Sequence, residues 1–170
     1  VSCPEHLALA LQAARKSLVL LKNDGILPLA GVRRVLLTGP DANDQSILGD
    51  WVRFQPEANI VTVLAGLQRE APVGVAVQHV ETGPIAEISD AQIEEALTAA
   101  AQCDVVVLAL GENSMRFNPA RTSGENVDRV SLEPPGRQLE LMRRLHAVGK
   151  PIVVVLINGA PIASEWLVEH

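Results

Sequence analysis

Tyrosine is missing from this sequence, and only Trp51, Trp166, Phe54 and Phe117 supply large aromatic rings. A free-standing module that grips sugars or single-stranded nucleic acid by stacking usually needs several such faces, so that class is disfavoured. Cysteine is almost as scarce. Cys3 and Cys103 set no disulfide framework and match no zinc spacing, so both read as ordinary thiols and no metal site is expected. Fourteen basic residues against twenty acidic ones leave a net charge of −6. A nucleic-acid partner is not expected, because binding one needs a cationic face that displaces counterions. No apolar run reaches eighteen residues, so no membrane-spanning helix is expected.

The common site fingerprints are absent too. Gly39 opens neither a G-x-G-x-x-G turn nor a Walker loop, and no G-x-S-x-G elbow occurs. His6, His79, His146 and His170 are scattered without a partner at triad or ligand spacing. No cofactor is expected.

What is present is a core. At 170 residues, 48% hydrophobic and 20% charged, the chain is too apolar for disorder and the size of one domain. Area scaling gives roughly 8,000 Å² of folded surface, with about 69% of the unfolded surface buried. Val1 to Glu5 include neither an initiator Met nor a secretory leader. The chain is therefore expected to be a piece of a longer protein, with its cellular location left open.

The pattern along the chain alternates. Leu7, Leu11, Ala14 and Leu18 form a helical stripe behind Pro4, and the apolar run Leu18–Leu21 reads as a short strand. Strands are expected at 35–38, 73–80, 105–110 and 151–157, each rich in Val, Leu or Ile. Between them fall helices at 60–70, entered through Thr62, at 90–102 behind Ser89, and at 135–147. Strands apolar on both faces and separated by helices predict an α/β fold: a three-layer α/β/α sandwich around a mostly parallel, doubly wound, flavodoxin-like sheet. Function in such folds gathers at the carboxyl ends of the strands. Here those ends lead into loops beginning at Gly39, Gly111 and Asn158.

Two loops carry unexplained chemistry. The first holds Asp41, Asn43 and Asp44, which read as local caps, and then Gly49-Asp50-Trp51. The Trp51 indole suits either the core or the wall of a pocket. The second, 111–132, is too long for a mere connector and contains Glu112, Arg116, Arg121, Glu125, Asp128 and Arg129. It reads either as a solvated, charge-mixed loop or as a device presenting a carboxylic acid to a pocket.

The ordered motifs resemble the second domain of glycoside hydrolase family 3. They are Leu20-Leu21-Lys22-Asn23, Thr38-Gly39-Pro40-Asp41-Ala42, Gly49-Asp50-Trp51, Gly111-Glu112, Gly124-Glu125-Asn126-Val127-Asp128-Arg129, Gly149-Lys150-Pro151 and Asn158-Gly159-Ala160-Pro161. The resemblance covers 1–170. It implies part of a retaining β-glycosidase of the β-glucosidase or β-xylosidase group, acting on terminal β-linked sugars. An N-terminal (β/α)8 barrel, outside this chain, would carry the aspartate nucleophile and be this domain's partner. Glu125 maps onto the general acid/base, and Trp51 onto the tryptophan beside the aglycone. Glu112 is the rival carboxylate, placed where holding the loop is the simpler role. The resemblance also implies that the domain continues past His170, and that the chain alone cleaves no glycoside. Two other readings remain: a non-catalytic domain that braces the barrel, and an independent small-ligand domain using the Gly39 loop.

Overall fold

The computed structural model describes residues 3–163 and 165–170. Helix α1 (Pro4–Ser17) is followed by strand β1 (Arg34–Thr38), helix α2 (Val63–Glu70), strand β2 (Ala76–Val80) and helix α3 (Asp90–Gln102). Strand β3 (Val105–Gly111), helix α4 (Gln138–Ala147), strand β4 (Ile152–Ile157) and a short helix α5 (Glu165–Glu169) complete it. The four strands form one parallel sheet in the order β2-β1-β3-β4.

Side-chain alternation explains why these strands read as uninterrupted apolar runs. Leu36, Val106, Leu108 and Leu110 face one way and bury against Ile93, Ala96 and Ala100 of α3 and Leu141 and Leu145 of α4. Val35, Leu37, Val105 and Val107 face the other way, against Val63, Leu64 and Leu67 of α2 and the segment bearing Ile26, Leu29 and Val32. Both faces of β1 and β3 are covered, so apolar residues dominate at either parity there; buried Thr38 is tolerated because its hydroxyl donates to the Val80 carbonyl at 2.8 Å, while the edge strand β2 carries Gln78 and His79. Three layers and double winding follow, as expected from the sequence. The Thr62 and Ser89 caps are as read, although α2 begins at Val63 rather than 60 and α4 at Gln138 rather than 135. The Thr62 hydroxyl accepts the Ala65 amide at 3.2 Å, and Ser89 and Gln92 form a reciprocal capping box.

One expected strand is absent. Residues 18–21 pair with no strand among those described, and Leu18, Val19, Leu20 and Leu21 are all exposed. A strand needs a neighbour to take its backbone hydrogen bonds, and residues 18–21 lie along neither outer edge of the sheet, β2 or β4. The strand expected at 73–80 starts only at Ala76, because Gly74, at φ +90°, sits in a turn closed by Val75 N–H donating to the Pro72 carbonyl.

Residues 4–25 are exposed throughout, including Leu7, Leu9 and Leu11 of α1. That arm raises the accessible surface to 10434 Å², well above the roughly 8,000 Å² of a close-packed chain this long. At the sheet's other end, β4 is half-buried along its whole length.

Candidate active site

The strand order places a topological switch between β1 and β3: from β1 the chain moves to β2 on one side, then crosses back to β3 on the other. Loops leaving two such strands diverge and open a crevice at their carboxyl ends. Glycine is required on both sides of it. Gly39 sits at φ +106°, where a Cβ would overlap the Ala109 carbonyl, and a Cβ on Gly111 would overlap that of Ile157. The buried Gln138 side chain at the head of α4 then fastens the strand end, accepting the Gly111 N–H and donating to its carbonyl, each at 2.9 Å.

Glu112, the first residue past β3, points inward and is 3% exposed. One carboxylate oxygen is ion-paired with Arg129. The other accepts backbone N–H groups of Gly159, at 3.2 Å, and Ala160, at 2.9 Å. Glu112 thus binds the far end of its own loop to the loop after β4. Its acceptor sites are turned to protein donors rather than to solvent, which leaves it poorly placed to exchange a proton with a ligand.

Glu125 is placed differently. Its side chain is 52% exposed and ion-paired with Arg116. Arg116 also reaches across to the first loop, where its Nε and Nη2 donate to the two oxygens of Asp50 at 3.0 and 3.1 Å. The same guanidinium lies over the Trp51 ring, 3.6 Å from its centroid. Asp50 further accepts the Glu125 N–H at 2.9 Å and the Trp51 N–H at 2.7 Å. The Glu125 amide, then the Trp51 amide and the Arg116 cation, hold the Asp50 carboxyl below the ordinary carboxylate range. Gly124, at φ +105°, keeps the approach open, since a Cβ there would stand 3.0 Å from Asp50 Oδ2. Trp51 is 73% exposed, so of its two readings the core one is excluded. Beside this group a cleft of about 490 Å³ is lined by Asp50, Ser114, Ser123, Asp128, Arg129 and Gly159, among others.

Of the acidic residues after β1, Asp44 is a cap, its carboxylate accepting the Ser46 amide at 2.6 Å. Asn43 accepts the Thr62 hydroxyl at 2.9 Å. Asp41 departs from the expected capping role. It is 1% exposed at the switch point, and its Oδ2 has no hydrogen-bond partner among the described residues. Burial, with the Asp44 charge adding to it, pushes the Asp41 carboxyl up to about 7, against a weak pull from the Ser46 hydroxyl. Cys3 and Cys103 are free thiols, as their spacing implied.

The structure therefore brings Glu125 and Trp51 together from two loops and sets Glu112 apart as a tie. Sequence reasoning left Asp50 and Arg116 without roles. The only signal was their position, Asp50 immediately before Trp51 and Arg116 inside the Glu125 loop.

Fold and rim together define a doubly wound α/β domain that raises a carboxylate and an arginine-backed indole at its switch point. The chain belongs to the family described as glycosyl hydrolase family 3 C-terminal domain, whose family model matches residues 18–170. It is 34% identical to a β-xylosidase of Formosa agariphila, over 98% of this chain and 23% of that protein. It is 33% identical to a periplasmic β-glucosidase of Salmonella typhimurium, over 93% of this chain and 23% of that protein. Among solved structures, a β-glucosidase from Listeria innocua in complex with gluconolactone superimposes with a TM-score of 0.84 at 32% identity, covering 99% of this chain and 22% of that one. The chain thus spans less than a quarter of the length of each of these relatives.

Proposed function

We propose that this domain lends the general acid/base, Glu125, to a retaining β-glycosidase that removes terminal β-linked sugars of the glucose or xylose type. Retention requires two carboxyl groups about 5–5.5 Å apart, one attacking the anomeric carbon and one protonating the departing oxygen. Glu125 is the second. It gives its proton to the aglycone oxygen as the glycosyl–enzyme bond forms, then takes one from the water that breaks that bond. The attacking aspartate lies on an N-terminal barrel beyond this chain, and the Trp51 indole walls the aglycone side.

One observation carries the reading: a solvent-open carboxylate stands at the carboxyl rim of the sheet, beside an exposed aromatic face. The relatives named above support the substrate class. The exposed leucines of α1 and of residues 18–21 favour a covering partner domain, since an apolar surface of that extent is seldom left in water.

In the full-length protein, Glu125→Ala should lower turnover of glycosides with poor leaving groups by about 10²–10⁴-fold. Activated aryl glycosides should lose far less, and azide should rescue their second step. Equal losses on both substrate types would remove Glu125 from proton transfer and leave a bracing domain.

A further inference from the structure

Asp50 is joined to everything that matters at the rim. It accepts the backbone N–H of Glu125 and of Trp51, and it receives Arg116 in a two-pronged pair. Arg116 in turn contacts the two side chains whose backbones Asp50 holds, the Glu125 carboxylate by charge and the Trp51 ring by its face. The two loops have no common secondary structure here; this pair links them across 66 residues of sequence. Both partners are largely shielded, with side-chain exposures of 18% for Asp50 and 17% for Arg116. A fork-to-carboxylate pair screened from water holds its geometry far better than an exposed lysine contact.

The backbone at the ring adds an independent sign. Trp51 sits at φ +56°. A bulky residue in the left-handed region costs about 1–2 kcal/mol and persists only where its surroundings enforce it. Here the Asp50 carboxylate and the Arg116 face are what enforce it. The strain lies at the ring presented to solvent, not in the core.

We propose that Asp50 and Arg116 are positioning residues that fix the proton donor Glu125 and the aromatic wall Trp51 relative to one another, and that they act on turnover through Glu125. This rests on the acid/base reading of Glu125. Neither residue transfers a proton. Asp50 sets where the Glu125 backbone leaves the loop, and Arg116 sets where its carboxyl group swings. Displacing a catalytic group by about 1 Å is enough to cost around a hundredfold in rate.

The test is a double-mutant cycle in the full-length protein, reading kcat/KM on phenyl and 2,4-dinitrophenyl β-glycosides. Asp50→Asn and Arg116→Met should each lower kcat/KM on the phenyl glycoside by about 10–100-fold, and on the dinitrophenyl glycoside by less than about threefold. Arg116→Lys, which keeps the charge but not the fork, should fall with Arg116→Met. In a Glu125→Gln background the phenyl-selective part of these losses should disappear, because the proton donor they position is already gone, leaving only the loss of under about threefold, common to both aglycones, that comes through Trp51. Losses that keep their full size on the phenyl glycoside in that background, or that fall equally on both aglycones when Glu125 is present, would make the pair merely structural and overturn the proposal while leaving Glu125 in place. If Glu125→Gln alone fails to discriminate between the aglycones, the acid/base reading fails first and takes this one with it. Circular dichroism checks folding, and Arg116→Lys remains informative should Asp50→Asn fail to fold.

Discussion

Replacing Asp41 with asparagine should stabilise the protein, and increasingly so as pH rises. The carboxyl is 1% exposed, its Oδ2 has no partner among the described residues, and its proton is held up to about 7 instead of the ordinary 3.8. Below pH 4 the group is neutral in both folded and unfolded chains, so it costs little. Between about 4 and 7 the unfolded chain releases the proton while the folded one retains it, and stability declines across that window. Above 7 the whole penalty is present: a rise from 3.8 to about 7 corresponds to about 4 kcal/mol as an upper bound. Asparagine fills the same space without a charge and can still accept from Ser46, which lies 3.5 Å from Oδ1. Its amide is left without a certain partner, which costs about 1–3 kcal/mol and takes back part of the gain. Urea unfolding followed by far-UV circular dichroism at pH 4, 6 and 8 measures the difference. The expected advantage of Asp41→Asn is about 1–3 kcal/mol at pH 8, vanishing or reversing by pH 4. A difference that does not change with pH would refute the argument, since only a carboxyl that titrates late on folding generates the slope.

Three further outcomes follow from the same geometry. Gly39→Ala combines a left-handed backbone with overlap on the Ala109 carbonyl, so thermal or urea denaturation should register a loss of about 2–5 kcal/mol. Trp51→Ala should leave the unfolding midpoint nearly unchanged, because the ring is 73% exposed; in the full-length protein it should raise KM for aglycone-bearing substrates by an amount equivalent to about 1–3 kcal/mol, by analogy with base stacking. Asp104 accepts the Arg33 and Arg34 amides at 2.9 and 2.8 Å, and these hold its carboxyl below the usual range. Its contribution is therefore present above about pH 4 and lost as pH falls through the lowered value. Asp104→Asn should lower Tm at pH 7, and the gap to the unmodified protein should narrow as pH falls below about 4.

The sequence by itself determined the class of fold. Runs such as Val105–Leu110 can be buried on both faces only inside a covered parallel sheet, and Thr62 and Ser89 announce their helices through local hydrogen bonds that need no distant partner. Gly124-Glu125 and Asp50-Trp51 could be singled out for the same reason, since motif and loop position are local properties. Only the tertiary structure decided the rest. The apolar run Leu18–Leu21 looks like a strand, but whether it is one depends on reaching an outer edge of the sheet, at β2 or β4, and it pairs with neither. Asp41 and Asp44 are the same residue type three positions apart, yet the first is a buried acid and the second a solvent-side cap, because only Asp41 lies against the end of β3, its amide donating to the Ala109 carbonyl at 3.3 Å. Arg116 and Asp50 meet because the strand order brings two loops to one rim. Composition and periodicity describe what a residue is and which way its element faces; which charges end up within 3 Å of each other is set by how the layers stack, and that is a property of the folded chain alone.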